Sequence, residues 1–149
     1  MQCNRLNVYL LWAGLLFASL PSTAQTQENL TIVVTGIRGS EGQIAIMAFD
    51  SQQGLDEEQP AARFKFPKDD LAGDSLTVRL ELTPGTYGLV LLDDENSNEK
   101  MDKNVLRIPR EGFAFSGFEF TKPKKPAFDD FKMEVGEGPQ TITLKLQYL

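Results

Sequence analysis

Asp74-Ser75-Leu76-Thr77-Val78-Arg79-Leu80-Glu81-Leu82 is the stretch on which the fold turns. Leu76, Val78, Leu80 and Leu82 fall on one side of an extended chain, and Thr77, Arg79 and Glu81 on the other. Strand side chains alternate between faces, so a period of two predicts a strand with one dry face and one wet face. An amphipathic helix would space its apolar residues three and four apart. Thr83-Pro84-Gly85 then turns the chain.

The same pattern recurs on both sides. Upstream, Leu30-Thr31-Ile32-Val33-Val34-Thr35 is short and β-branched and ends at Gly36. Residues 37–42 carry turn chemistry, and Gln43-Ile44-Ala45-Ile46-Met47-Ala48-Phe49 follows, with Ile44, Ile46 and Ala48 on one face. These two segments are predicted to pair as a hairpin. Residues 50–60 read as a loop with a helical turn near Asp56-Glu57-Glu58, and Arg63-Phe64-Lys65-Phe66 reads as a short edge strand. Downstream, Thr86-Tyr87-Gly88-Leu89-Val90-Leu91-Leu92 reads as a more buried strand, and 93–104 as a polar loop. Gly112-Phe113-Ala114-Phe115-Ser116-Gly117-Phe118-Glu119-Phe120 is rich in glycine and aromatics. Thr141-Ile142-Thr143-Leu144-Lys145-Leu146 alternates again. About seven short strands with frequent turns predict an all-β fold, an antiparallel β-sandwich of Ig-like or transthyretin-like form. A small β-barrel is the alternative.

The amino-terminal end carries an address. Arg5 is the only charged side chain before Glu28, the apolar run 8–18 follows, and Ser22-Thr23-Ala24 supplies small residues for cleavage. Charged start, apolar middle and small-residue exit predict a secretory signal peptide over residues 1–24. The run is shorter than the roughly 20 residues a membrane span needs. Residues 25–149 are then expected to form one exported domain, periplasmic or extracellular, with no membrane span after cleavage. Cys3 is the only cysteine and precedes the apolar run, so the mature domain would hold no disulfide and would rest on burial.

Composition narrows the chemistry. The formal net charge is −6, which repels phosphate backbones and speaks against nucleic-acid binding. The chain has no histidine, which removes Ser-His-Asp and Cys-His catalysis and imidazole zinc sites. What remains for a metal is oxygen, which suits calcium or magnesium.

Two segments stand out as candidate sites. In Asp93-Asp94-Glu95-Asn96-Ser97-Asn98-Glu99-Lys100-Met101-Asp102, the residues Asp94, Asn96, Asn98 and Asp102 take relative positions 1, 3, 5 and 9. Oxygen side chains at alternate positions of a curled loop converge on one hard cation, and the Lys100 carbonyl at position 7 can join them, so this is a candidate Ca2+ loop. It departs from calcium loops at position 6, where Glu99 replaces the usual glycine, and at position 12, where Val105 cannot supply a carboxylate. The plainer reading is a solvated acidic turn. Phe113, Phe115, Phe118 and Phe120 form the second candidate, an aromatic interaction patch for a protein or glycan partner, against ordinary core packing.

Several segments taken in order resemble the bacterial domain of unknown function DUF2141. They are Val33-Val34-Thr35-Gly36-Ile37-Arg38, Gly42-Gln43-Ile44-Ala45-Ile46, Pro84-Gly85-Thr86-Tyr87, Asp94-Glu95-Asn96 to Asp102, and Ile108-Pro109-Arg110-Glu111-Gly112-Phe113-Ala114-Phe115-Ser116. The resemblance implies an exported sandwich with no established activity. It also implies glycines within the acidic loop, where this chain has Ser97 and Glu99, and histidine where it has Asp93. Glutamate disfavours a left-handed backbone, so the loop is expected to suit a metal less well here than in the family pattern. The leading expectation is thus a non-catalytic binding or structural module, with a calcium-stiffened loop. The alternatives are a small enzyme using the loop carboxylates, and an assembly partner pairing through an edge strand or segment 112–120.

Overall fold

A computed structural model of the chain describes residues 28–105, 108–119 and 125–149. The predicted signal peptide, residues 1–24, lies outside them, as does Phe120. The elements are β1 (Leu30–Thr35), β2 (Gln43–Phe49), α1 (Gln52–Asp56), β3 (Ala62–Pro67), β4 (Ser75–Leu80), β5 (Gly85–Asp94), β6 (Gly112–Phe115), α2 (Phe128–Phe131), β7 (Lys132–Val135) and β8 (Gln140–Lys145). The eight strands form two sheets, and the fold is an all-β sandwich. One sheet runs β4-β1-β8, the other β3-β2-β5-β6, with β7 also on β5.

The alternation in β4 does what its period requires. Leu76, Val78 and Leu80 are buried, and β1 sets Val34, Ile32 and Leu30 opposite them in antiparallel register. Ile142 and Leu144 of β8 line up beside Ile32 and Val34 from the other side. The facing sheet supplies Ile44, Ile46, Ala48, Leu89 and Leu91, and together these side chains make the main core. Apolar faces of two sheets bury each other in this way because neither can be hidden alone.

One sequence-based expectation needs correction, and one pairing was not foreseen. β1 and β2 do not form a hairpin: they lie in different sheets, and residues 36–42 carry the chain across the sandwich. Each strand has a dry face, and the two dry faces bury better against each other than side by side. β1 and β8 also pair in parallel, an exception within an otherwise antiparallel arrangement that no local pattern announces.

β5 is the axis of the second sheet. Its first part, Gly85 to Gly88, pairs with β7, and its later part, Val90 to Asp93, pairs with β6. Leu89 sits at the changeover. Its N–H donates to Ser116 Oγ at 2.9 Å and its carbonyl accepts from the Ser116 N–H at 3.0 Å. The Ser116 hydroxyl in turn donates to the Phe131 carbonyl at 2.6 Å. Both backbone groups of Leu89 are thus paired where the partner strand changes. The outer face of this sheet carries a second apolar cluster of Phe49, Leu55, Phe128 and Phe131 under the two short helices. Gly88 makes this closure possible, because a Cβ there would stand 2.4 Å from Phe131 Cε2.

Candidate functional site

The strand β5 ends on two acids, Asp93 and Asp94, both fully buried. Successive strand residues face opposite ways, so the two carboxylates enter different surroundings. Asp93 turns to the sandwich interior, in register with Ile44 and Gly112. There it forms an ion pair with Lys68, whose side chain is also fully buried, and accepts a hydrogen bond from the Tyr148 hydroxyl. Lys68 Nζ also donates to the Gly39 carbonyl at 3.1 Å. Burial, with the Asp93 carboxylate beside it, pushes the Tyr148 hydroxyl well above its usual range. The Arg38 guanidinium lies 4.0 Å above the Tyr148 ring centre. This is a structural knot that ties the C-terminal residues to the end of β5.

Asp94 anchors the acidic loop. Its Oδ1 accepts the Asn98 N–H at 2.9 Å, and its Oδ2 accepts the Glu99 N–H at 3.0 Å and the Gln43 side-chain amide at 2.8 Å. The loop curls about these bonds. Asn96 Oδ1 accepts the Asn98 N–H at 3.0 Å, and Asn98 Oδ1 accepts the Lys100 N–H at 2.8 Å. The side-chain amides of Asn96 and Asn98 donate to the two Asp102 oxygens, at 2.6 and 3.1 Å. Ser97 and Glu99 sit at φ 57° and 64°. These left-handed turns, which glycine adopts most freely, are kept here by serine and glutamate. Gly42 lies beneath the loop at φ 76°, where a Cβ would come within 2.1 Å of the Asp94 carbonyl oxygen.

The structure therefore gathers Asn96, Asn98 and Asp102 into direct contact and holds Asp94 at the foot of the curl. Among the described residues, no three acidic groups already close on one point as a finished metal cage. Asp102 faces amide hydrogens, which a cation would have to displace.

Glu111 is the residue the spacing does not reveal. It immediately precedes β6 and is 3% exposed. Its Oε2 accepts the Asp102 N–H at 3.0 Å, and its Oε1 has no partner. Burial raises its carboxyl above the usual range. The Asp102 N–H bond opposes that rise, while the Asp102 and Asp94 charges add to it, and the Glu95 N–H, outside hydrogen-bond geometry, lowers it slightly. Glu111 lies nine residues beyond Asp102, so only the fold brings the two together. Lys68 and Gln43 are equally hidden in the sequence.

The aromatic candidate resolves differently. Phe113 is buried at 4% exposure, which corrects its place in a surface patch. Phe115 and Phe118 are partly buried against the outer cluster. The Phe115 ring packs edge-on against Phe131 at 5.1 Å and against Phe118 at 6.1 Å. Phe115 fills space between β6 and α2 with Phe118 beside it, as large apolar side chains usually do.

Fold and loop together define a β-sandwich with an acidic, oxygen-rich loop on the end of its longest strand. Over residues 32–143 the chain matches the family described as an uncharacterized protein conserved in bacteria, DUF2141, and it belongs to that family. No curated protein and no solved structure matches it.

Proposed function

We propose that this protein is an exported, non-catalytic β-sandwich that serves as a binding or structural module, and that calcium stiffens its acidic loop. The observation that carries the loop reading is the curl at 94–102. Asp94 holds the backbone in a tight turn, and Asn96, Asn98 and Asp102 meet inside it. The leader supports export, and calcium is a cation that compartments beyond the cytoplasm can supply. Oxygen is the donor this composition offers, which fits a hard cation.

Thermal melting of the protein, with calcium and with chelator, tests the reading. Extracellular calcium modules bind at about 0.1–1 mM. A dissociation constant near 1 mM gives about 1.4 kcal/mol at about 10 mM calcium. For a domain of this size the melting temperature should then rise by about 4–6 °C. Equal melting in calcium and in chelator would contradict the proposal.

A further inference from the structure

The loop alone offers five oxygen donors: Asp94, Asn96, Asn98, the Lys100 carbonyl and Asp102. Calcium takes about six to eight. The position that supplies the closing carboxylate in a calcium loop holds Val105 here, and its side chain is 99% exposed. The missing group has to come from elsewhere in the fold.

Glu111 meets the requirement on several independent grounds. The β5–β6 ladder pairs Asp93 with Gly112. One step further in the same register sets Glu111 opposite Asp94. Like charges facing each other across a ladder destabilise it, and both carboxylates are buried. Among the described residues neither has an ion-pair partner, whereas the neighbouring Asp93 has Lys68. Asp94 is at least satisfied by two backbone N–H groups and Gln43, but Glu111 Oε1 has nothing. A buried carboxylate oxygen without a partner is costly. Its other oxygen accepts the backbone N–H of Asp102, a loop donor, so the head group lies beside the curl, and among the described residues it does not yet close with Asp94 and Asp102 on one point.

We infer that Glu111 is the sixth donor, the carboxylate that completes a calcium site with Asp94, Asn96, Asn98, the Lys100 carbonyl and Asp102. This rests on the calcium reading of the loop and extends it. The ion bridges the end of β5 and the start of β6, so it clamps both ends of the 95–111 excursion. A loop-only ion would stiffen the curl and leave the return limb untouched.

Calorimetric titration with calcium chloride, on the wild type and on Glu111→Gln and Asp102→Asn, tests the assignment. Glutamine keeps the size of the side chain and an acceptor for the Asp102 N–H, and it removes the charge. In chelator, Glu111→Gln should melt at or above the wild-type temperature, since an uncompensated buried charge is gone. With calcium, the wild type should bind one ion, and both variants should bind at least about tenfold more weakly. If Asp102→Asn weakens binding and Glu111→Gln does not, Glu111 is no ligand and the loop-only site stands. If the wild type gives no heat, or if neither variant weakens binding, the calcium reading itself falls and this inference with it.

Discussion

Glu99 shows a residue held against its own preference. Its φ of 64° is one that glycine adopts freely and glutamate does not. Two contacts hold it: its N–H donates to Asp94, and its carboxylate pairs with Lys65 on the edge strand β3. The first is partly buried. The second joins two side chains that are each about half exposed, and such pairs contribute roughly 0–1 kcal/mol. The left-handed conformation costs a non-glycine residue about 1–2 kcal/mol. Glu99→Gly should therefore gain about 0.5–1 kcal/mol in urea unfolding. A loss of stability would mean that the Lys65 pair outweighs the backbone strain. At this scale the sequence showed the conflict clearly, since position 6 of the loop demands glycine. It could not show that the backbone would keep the turn regardless.

At the scale of the element, β5 governs both the core and the site. Its apolar run was legible as a buried strand, but the strand continues through Asp93 and Asp94, which read as the start of a polar loop. A strand ends where its ladder partners end. Here β2 supplies partners as far as Gln43, opposite Asp94. The ladder thus buries two acids on opposite faces of the sheet, Asp93 against Lys68 and Asp94 under the loop N–H groups. Lys68 stands between Pro67 and the acids Asp69 and Asp70, so nothing local marked it as the partner of Asp93. Removing one member of a buried ion pair leaves the other uncompensated and costs about 3–5 kcal/mol. Lys68→Met should lose stability on that scale in denaturant unfolding, and Lys68→Met with Asp93→Leu should recover a large part of it. A loss below about 1 kcal/mol for the single variant would show that the Tyr148 hydroxyl alone suffices for Asp93.

At the scale of the whole molecule, the sandwich was legible because β1 and β4 carry a clear period of two. Leu76, Val78 and Leu80 in β4 and Leu30, Ile32 and Val34 in β1 could only face an apolar layer, and they do. Strand partners were less legible. Periodicity marks which face is dry but not which strand lies alongside. The predicted β1–β2 hairpin and the unforeseen parallel β1–β8 pair follow from that gap. The candidate site divides along the same line. Its loop donors are close in sequence and could be read from their spacing, while Glu111 joins them only through the β5–β6 register. The aromatic segment was ambiguous for a related reason, since its composition fits a surface platform and a packed cluster equally well.

The central claim is that one cation is held by the curl at 94–102 with Glu111. Amide chemical-shift mapping by nuclear magnetic resonance during a calcium titration tests it most directly. The N–H groups of Asn98 and Glu99 rest on the Asp94 carboxylate, that of Lys100 on Asn98, and that of Asp102 on Glu111. These four signals should move together and saturate by about 10 mM calcium, with the amides of β4 unmoved. Four static signals at that concentration, or shifts scattered over other surface carboxylates and missing from these four, would contradict the account.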